Sequence, residues 1–313
     1  MLKKITDDIY QLVVRFPFGM REVNSYLFKG EKGFTVIDTG SYAKESIDIW
    51  ERTLASGVKV EKVVLTHAHP DHIGLAGWFQ ERFNVPVFIS SLGYKEMQRL
   101  RLQKYDKNKL HLLFQQHDGP EIPENIMQME ESAYDFEPDG LFEKNQTIQL
   151  GSSFYETIWT PGHAPDHICF YHHDQQIMVV GDHVLNNISP IILIPSEDDG
   201  NPLKDYFSSL ESIKRYPIVF ALPGHGDLIY HFKNRVEEIT ARHHHRLQQT
   251  LDLVKSVEKT AGQVCQEVYG KLSISKLISP FIATITRFLY LESIGKVEKE
   301  MKNGKIYYRA SSK

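Results

Sequence analysis

Apolar residues along this chain come in short runs separated by turn residues, a pattern of strands alternating with amphipathic helices. Residues 10–14, 25–28 and 34–37 read as strands, with Gly30 and Gly33 punctuating the hairpin between the last two. A helix is expected to follow through Trp50 and Leu54. Residues 62–65 and 86–89 are the next strands, and the stretch 73–79 between them opens a helix. Strands resume at 154–159, 168–171 and 177–180. A helix over 203–216, a strand at 218–222 and one long helix over 234–259 follow. Strand and helix in alternation predict an α/β architecture.

Two stretches break this rhythm. Residues 94–143 read as an insertion: a basic, helix-patterned part to 109, then a part over 110–143 with nine acidic residues and no Lys or Arg. Such a segment serves as a lid or binding loop, or is a solvated excursion, and the sequence leaves both open. After Thr260 the chain turns basic, with nine Lys or Arg against four acidic residues. Thr260 is placed to cap a helix over 261–269, and a short turn or helix is expected at 273–278. A stronger helix over 280–294 carries Ile282, Ile285, Phe288, Leu289 and Leu291 on one face. Asn303-Gly304 between two strand-like runs is a hairpin signal. Helix, helix and hairpin predict a small winged-helix domain, which divides the chain into 1–233 and 234–313.

Composition narrows the classes. With 313 residues the chain can bury a sizeable core, and a net charge of −4 gives no general attraction to nucleic acid. The two cysteines, Cys169 and Cys265, make no disulfide framework. No signal-peptide core and no bilayer-length apolar run is visible, so a cytoplasmic protein without a membrane partner is expected.

Chemistry concentrates in Thr66-His67-Ala68-His69-Pro70-Asp71-His72, three imidazoles and one carboxylate within six residues on a strand-to-helix turn. His67 and His69, at i and i+2, can point the same way. Imidazole with carboxylate suits zinc, and also iron or manganese. Four more strands end in metal-capable residues: Asp38, His163 after Pro161-Gly162, Asp182 after Gly181, and His225 after Pro223-Gly224. In α/β sheets, ligands gather beyond the carboxyl ends of strands. The remaining histidines carry less. His243-His244-His245 are consecutive on a helix and cannot share a metal, so they read as a solvated face. His172 and His173 are expected to face solvent, and His167 and His183 either to touch substrate or to serve structure.

The set Asp38, His67-x-His69-x-Asp71-His72, His163, Asp182 and His225 resembles the five motifs of the metallo-β-lactamase superfamily, over about residues 9–232. The resemblance implies an αβ/βα sandwich with two divalent ions at the sheet edges, zinc by default, with manganese or iron as alternatives. It implies that His67, His69 and His163 hold the first ion and Asp71, His72 and His225 the second. Asp182 would bridge them, and Asp38 would sit behind, accepting hydrogen bonds that orient ligands. A hydroxide shared by the ions would attack, with Asp71 accepting or returning a proton.

Departures from subfamilies narrow this further. β-Lactamases of the superfamily lack the bridging aspartate, so Asp182 argues against that activity. Flavodiiron proteins carry Glu where this chain has His69. The stretch between Asp182 and His225 is too short for the inserted cap of the large nucleases. A hydrolase of small thioesters, lactones or other esters is therefore expected. The C-terminal layout is similar to the branch containing β-lactamase-like protein 2, which implies the alternative of an endoribonuclease for single-stranded RNA. A single-iron persulfide dioxygenase and a DNA-binding regulator are weaker alternatives, the latter disfavoured by intact ligands at every motif position. Duplex DNA is not an expected partner, and a homodimer is one way to cover the apolar face of the last helix.

Overall fold

The computed structural model describes residues 2–102, 107–121, 131–192 and 200–311. It opens with an antiparallel meander, β1 (Lys3–Lys4), β2 (Ile9–Arg15), β3 (Glu22–Lys29) and β4 (Phe34–Ile37). α1 (Lys44–Ala55) leads to β5 (Val60–Val64); α2 (Pro70–Ile73) and α3 (Ala76–Phe83) lead to β6 (Val87–Ser90). α4 (Ser91–Leu102), α5 (Lys107–Gln116) and a 3-10 turn (Glu131–Tyr134) precede β7 (Gly140–Phe142). Then come β8 (Thr147–Leu150), β9 (Ser153–Trp159), β10 (Ile168–His172), β11 (Ile177–Gly181), α6 (Pro202–Ile213), β12 (Phe220–Pro223) and α7 (Phe232–Leu253). The chain closes with α8 (Ala261–Tyr269), α9 (Ile274–Ser293), β13 (Val297–Lys302) and β14 (Lys305–Ala310). Residues 103–106 and 122–130 of the expected insertion lie outside the described residues. No helix among the described residues is long and apolar enough to cross a membrane.

The chain groups into two compact units. The first comprises Met1–Gln103, Glu130–Pro190 and Ser212–Arg235. Its seven-stranded sheet has the order β1-β2-β3-β4-β5-β6-β7, and its five-stranded sheet β12-β11-β10-β9-β8. β4, β5, β6 and β7 are mutually parallel, so the carboxyl ends of β4 and β5, leading to Asp38 and His67, lie at one edge. β9 and β11 both run antiparallel to β10, and β12 runs parallel to β11. The segments leading to His163, Asp182 and His225 therefore leave the second sheet at one edge as well.

Alternating residues of both sheets pack against one another: Tyr26, Phe28, Ile37 and Val64 from the first, Phe170, Val179 and Leu222 from the second. Backbone and buried polar groups tie the edges together. The Ile168 amide donates to the Thr66 carbonyl at 3.0 Å, and the Asn24 amide to the Gly224 carbonyl at 2.7 Å. The Asn24 side chain and the Tyr26 hydroxyl both donate to the Pro223 carbonyl, at 2.9 and 2.8 Å. Buried polar groups need such partners, and here satisfying them fixes the two edges that carry the site. On the outer face of the first sheet, buried Trp50 packs edge-on against Phe79 at 4.9 Å and donates to the Thr39 carbonyl.

The second unit comprises Lys104–Met129, Ile191–Glu211 and Val236–Lys313. It takes in parts of the insertion that the boundary at 233/234 had assigned to the first domain. Their packing gives the reason: Phe114 of α5 lies 4.7 Å from Phe281, and Asp118 accepts from Thr260 at 3.1 Å and pairs with Lys305. Thr260 forms a capping box with Gln263 at the start of α8. α9 is one continuous helix through Pro280 rather than a turn and a separate helix. Burial of Phe281, Ile285, Phe288 and Leu291 along one face outweighs the ~3 kcal/mol that an interior proline costs. α7 ends at Leu253, short of the expected 259, because Lys259 leaves the helix to bond both ways with Tyr308 of β14.

Candidate metal centre

β5 delivers the chain through Leu65 and Thr66 to His67, and Pro70 at the start of α2 presets the backbone for a helix there. Asp71 and His72 consequently fall in the first turn. Asp38, just past β4, adopts a left-handed φ of 57° that aspartate tolerates better than most residues. This aims its carboxylate inward. It accepts from the Thr66 amide at 2.9 Å, the Thr66 hydroxyl at 2.8 Å and His72 Nδ1 at 2.7 Å.

These bonds decide which ring nitrogens are bare when the rings are neutral. Thr66 Oγ1 spends its proton on Asp38, so it accepts from His67 Nδ1 at 2.8 Å, leaving His67 Nε2 bare. His72 Nδ1 donates to Asp38, and His225 Nδ1 to the Glu22 carbonyl, leaving both Nε2 atoms bare. These three nitrogens and the remaining candidate groups converge. His69 Nδ1 lies 2.9 Å from His67 Nε2 and 3.0 Å from His163 Nε2. Asp182 sits in the middle, with Oδ1 3.4 Å from His72 Nε2 and Oδ2 3.5 Å from His163 Nε2 and 3.3 Å from His225 Nε2. Asp71 Oδ2 is 3.4 Å from His225 Nε2.

Three groups thus bring ligand atoms within 4.8 Å of one another: His67, His69 and His163; His67, His72 and Asp182; Asp71, His72 and His225. The buried atoms His72 Nε2, Asp182 Oδ1 and His225 Nε2 have no hydrogen-bond partner. Unmet, each would cost about 1–3 kcal/mol. A cation among them removes that cost, and imidazole with carboxylate is the donor set of zinc, iron and manganese. The residues fit divalent metal. Gly224 makes room for the arrangement: a Cβ there would lie 2.2 Å from Asp182 Oδ1.

The family model of the metallo-beta-lactamase superfamily matches residues 19–225, which includes every one of these candidate ligands. The chain belongs to the metallo-beta-lactamase superfamily. It is 27% identical to the probable metallo-hydrolase YqjP of Bacillus subtilis, over 97% of this chain and 98% of that one. It is 24% identical to an atrochrysone carboxyl ACP thioesterase of Aspergillus fumigatus, over 84% of this chain and 51% of that one. The crystal structure of the metallo-beta-lactamase family protein TTHA1429 from Thermus thermophilus superposes with a TM-score of 0.84 at 26% identity, covering 98% of this chain and 100% of that one.

In this superfamily member the charges divide the candidate ligands into two sets. Burial, reinforced by neighbouring imidazoles, drives His67 well below its ordinary range, and burial with His163 takes His69 to about 3. His72 and His225 shift the other way. Burial disfavours their charge, but Asp182, Asp38 and Asp71 hold His72 well above its ordinary range, and Asp182 with Asp71 raises His225 to about 10. Burial works to raise Asp71 and Asp182, yet His72 and His225 outweigh it: Asp71 falls to about 2 and Asp182 well below the carboxylate range.

A measurable consequence is proton release. In the metal-free protein both raised imidazoles are protonated at neutral pH. For His225 the ion-pair stability is complete below the unfolded value near ~6.5 and is lost as pH rises through about 10. Metal at His72 and His225 must displace those protons, so up to about two should leave per chain at neutral pH. Calorimetry in buffers of different ionisation enthalpy reads this directly. Metal uptake with no proton release would place the ions elsewhere.

Other residues settle differently from their sequence pattern. His172 is buried against Tyr155 and accepts from the Gln175 amide, rather than facing solvent. His173 is exposed and pairs with Glu156 at 2.9 Å. His243 is half-buried against Tyr206, and burial lowers it to about 4, whereas His244 and His245 are exposed. His167 and His183 are fully buried, which excludes substrate contact. Two contributors went unforeseen. The Thr66 hydroxyl fixes the His67 tautomer, and its place next to the ligand was a usable signal. Arg235, buried in α7, donates to the Leu185 and Ile188 carbonyls at 2.7 and 2.6 Å and anchors the loop after Asp182; nothing in its sequence context marks it.

Proposed function

We propose that this chain is a two-metal hydrolase of small acyl substrates: thioesters, lactones or other esters. The observation that carries the proposal is the position of Asp182, whose two oxygens face ligands of both sets, His163 on one side and His72 and His225 on the other. His67, His69 and His163 would hold one ion, and Asp71, His72 and His225 the other, with zinc the default choice. Bound divalent ions supply Lewis acidity and bring the pKa of water towards ~7.

The chain's own part is positional and protonic. Asp71 is the ligand carboxylate nearer solvent, with a quarter of its side chain exposed against 8% for Asp182. It can take a proton from an attacking water and return it to the departing thiol or alcohol. Asp38 and Thr66 hold His72 and His67 in the tautomers the site requires.

The thioesterase relative supports an acyl substrate. The C-terminal unit gives less support to RNA than its excess of Lys and Arg suggests, because several of those cations pair with its own acids. Lys259 pairs with Glu267, Lys299 with Glu292, Lys302 with Glu258, Lys305 with Asp118 and Arg309 with Glu298. We read the α8, α9 and β13–β14 arrangement as a winged-helix module used for packing. The Tyr307–Tyr308 step agrees, since Tyr308 is buried flat against Phe288 at 3.9 Å and cannot stack a base.

The test is a substrate panel with metal analysis. The protein should hold close to two ions per chain and turn over thioesters, esters or lactones only when loaded. Metal-dependent cleavage of single-stranded RNA with no acyl turnover would overturn the substrate class. At most one ion after reconstitution would overturn the two-metal reading.

A further inference from the structure

We propose that Asp166 and His167 act together as a positioning clamp that joins the ligand-bearing turns of the metal centre. The proposal rests on the metal-centre reading above.

The two residues follow the ligand His163 by three and four positions, and both are buried. They reach in different directions. The Asp166 carboxylate accepts from the Ala68 amide at 2.8 Å. Ala68 is the residue between His67 and His69, so this bond fixes the backbone from which both imidazoles project. His167 reaches the opposite turn, where its Nε2 accepts from the amide of Asp182 at 3.2 Å. That bond requires Nε2 to be bare, so Nδ1 carries the ring proton and donates to the Thr160 hydroxyl at 2.8 Å. Thr160 also bonds backbone with His167, its amide donating to the His167 carbonyl at 2.9 Å. The ring is thereby held at both nitrogens.

The space around it shows that the contact is built in. Gly181, immediately before Asp182, has a φ of 45°, and a Cβ there would lie 2.5 Å from His167 Nε2. Only glycine lets the imidazole meet the Asp182 backbone at this point. One short loop therefore presents its own ligand, His163, and holds the turns that carry His67, His69 and Asp182. Neither clamp residue offers an atom to the metal groups. Each acts through the backbone of a ligand or of its neighbour. Holding ligands before the ion arrives lowers the ordering cost of binding it.

Side-chain length separates this role from general stability. In His167→Gln the carboxamide oxygen reaches the place of Nε2 and can accept from the Asp182 amide. In His167→Asn the carboxamide reaches only the place of Nδ1, where its NH2 can donate to the Thr160 hydroxyl, so that contact survives and the Asp182 contact is lost. Zinc affinity is measured for parent and variants by competition with a chromogenic chelator, and the melting temperature is taken with and without zinc. The Gln variant should bind zinc within a few-fold of the parent. The Asn variant should bind about 10–100-fold more weakly, with a smaller zinc-induced rise in melting temperature. A defect of packing alone would lower the melting temperature of the zinc-free and loaded forms alike.

Equal zinc affinity in parent and Asn variant overturns the clamp. So does a folded Gln variant that has lost zinc, which remains decisive if the Asn variant fails to fold. A parent that binds no zinc, iron or manganese at all overturns the metal-centre reading instead. For the other arm, Asp166→Asn keeps an acceptor for the Ala68 amide and Asp166→Ala does not. Only the alanine variant should lose zinc affinity; equal behaviour of the two overturns that arm.

Discussion

Asp182→Ala should abolish turnover, by at least about 10³-fold, and leave the chain with no more than one tightly held ion. Asp182 is the carboxylate in contact range of both ligand sets, 3.4 Å from His72, 3.3 Å from His225 and 3.5 Å from His163. Two cations brought together without it repel each other and lose a shared ligand. The metal-free protein should also respond. His72 and His225 owe their raised pKa values first to Asp182, against the opposing effect of burial. Removing the carboxylate leaves burial less opposed at both imidazoles, and breaking a buried pair of this kind costs about 3–5 kcal/mol. The variant should therefore melt below the parent even without metal. Elemental analysis of the variant and assay on whichever substrate the parent turns over check the claim. Full metal content with full activity would refute it.

Asp38 should give the second largest effect, and the choice of replacement carries the information. Asp38→Ala strands the buried Thr66 amide and frees His72 Nδ1. A loss of about 10–100-fold in metal affinity or activity is expected, as for a partner behind a ligand. Asp38→Asn keeps an oxygen for the Thr66 amide but turns an NH2 towards the Thr66 hydroxyl and His72 Nδ1. His72 Nδ1 can then only accept, so its ring proton moves to Nε2, the atom that faces the metal. Asn should thus be kinder than Ala to the melting temperature and no kinder to metal affinity. If Asn restored metal binding, control of the tautomer would not be what Asp38 does.

The comparison of pattern and structure divides along physical lines. Strand ends were legible because a buried strand announces itself as a short apolar run, and the residue that follows it must sit at a sheet edge. Asp38, His67, His163, Asp182 and His225 all follow such runs, and the structure brings all of them to one place. The α9 face was legible for the same reason, being a helical stripe of Phe288, Leu291 and their neighbours. Pro280 misled because its local cost is small beside the burial of that stripe. The end of α7 misled because the competing bonds, Lys259 to Tyr308, join residues far apart in the chain.

What the sequence by itself determined is the inventory: an α/β chain, with seven metal-capable residues in four segments and a further carboxylate, Asp38, at the end of another strand. Only the tertiary structure decided how they act. It set which nitrogen of His67, His72 and His225 is bare in the neutral ring, through the Thr66 hydroxyl, the Asp38 carboxylate and the Glu22 carbonyl. It gave His72 and His225 raised pKa values and His67 and His69 lowered ones, although all four are the same residue type. It also buried His167 and set its ring onto the amide of Asp182. The reason is common to all three. Tautomer, charge and orientation depend on donors, carboxylates and burial supplied by other strands, at distances along the chain that local pattern does not record.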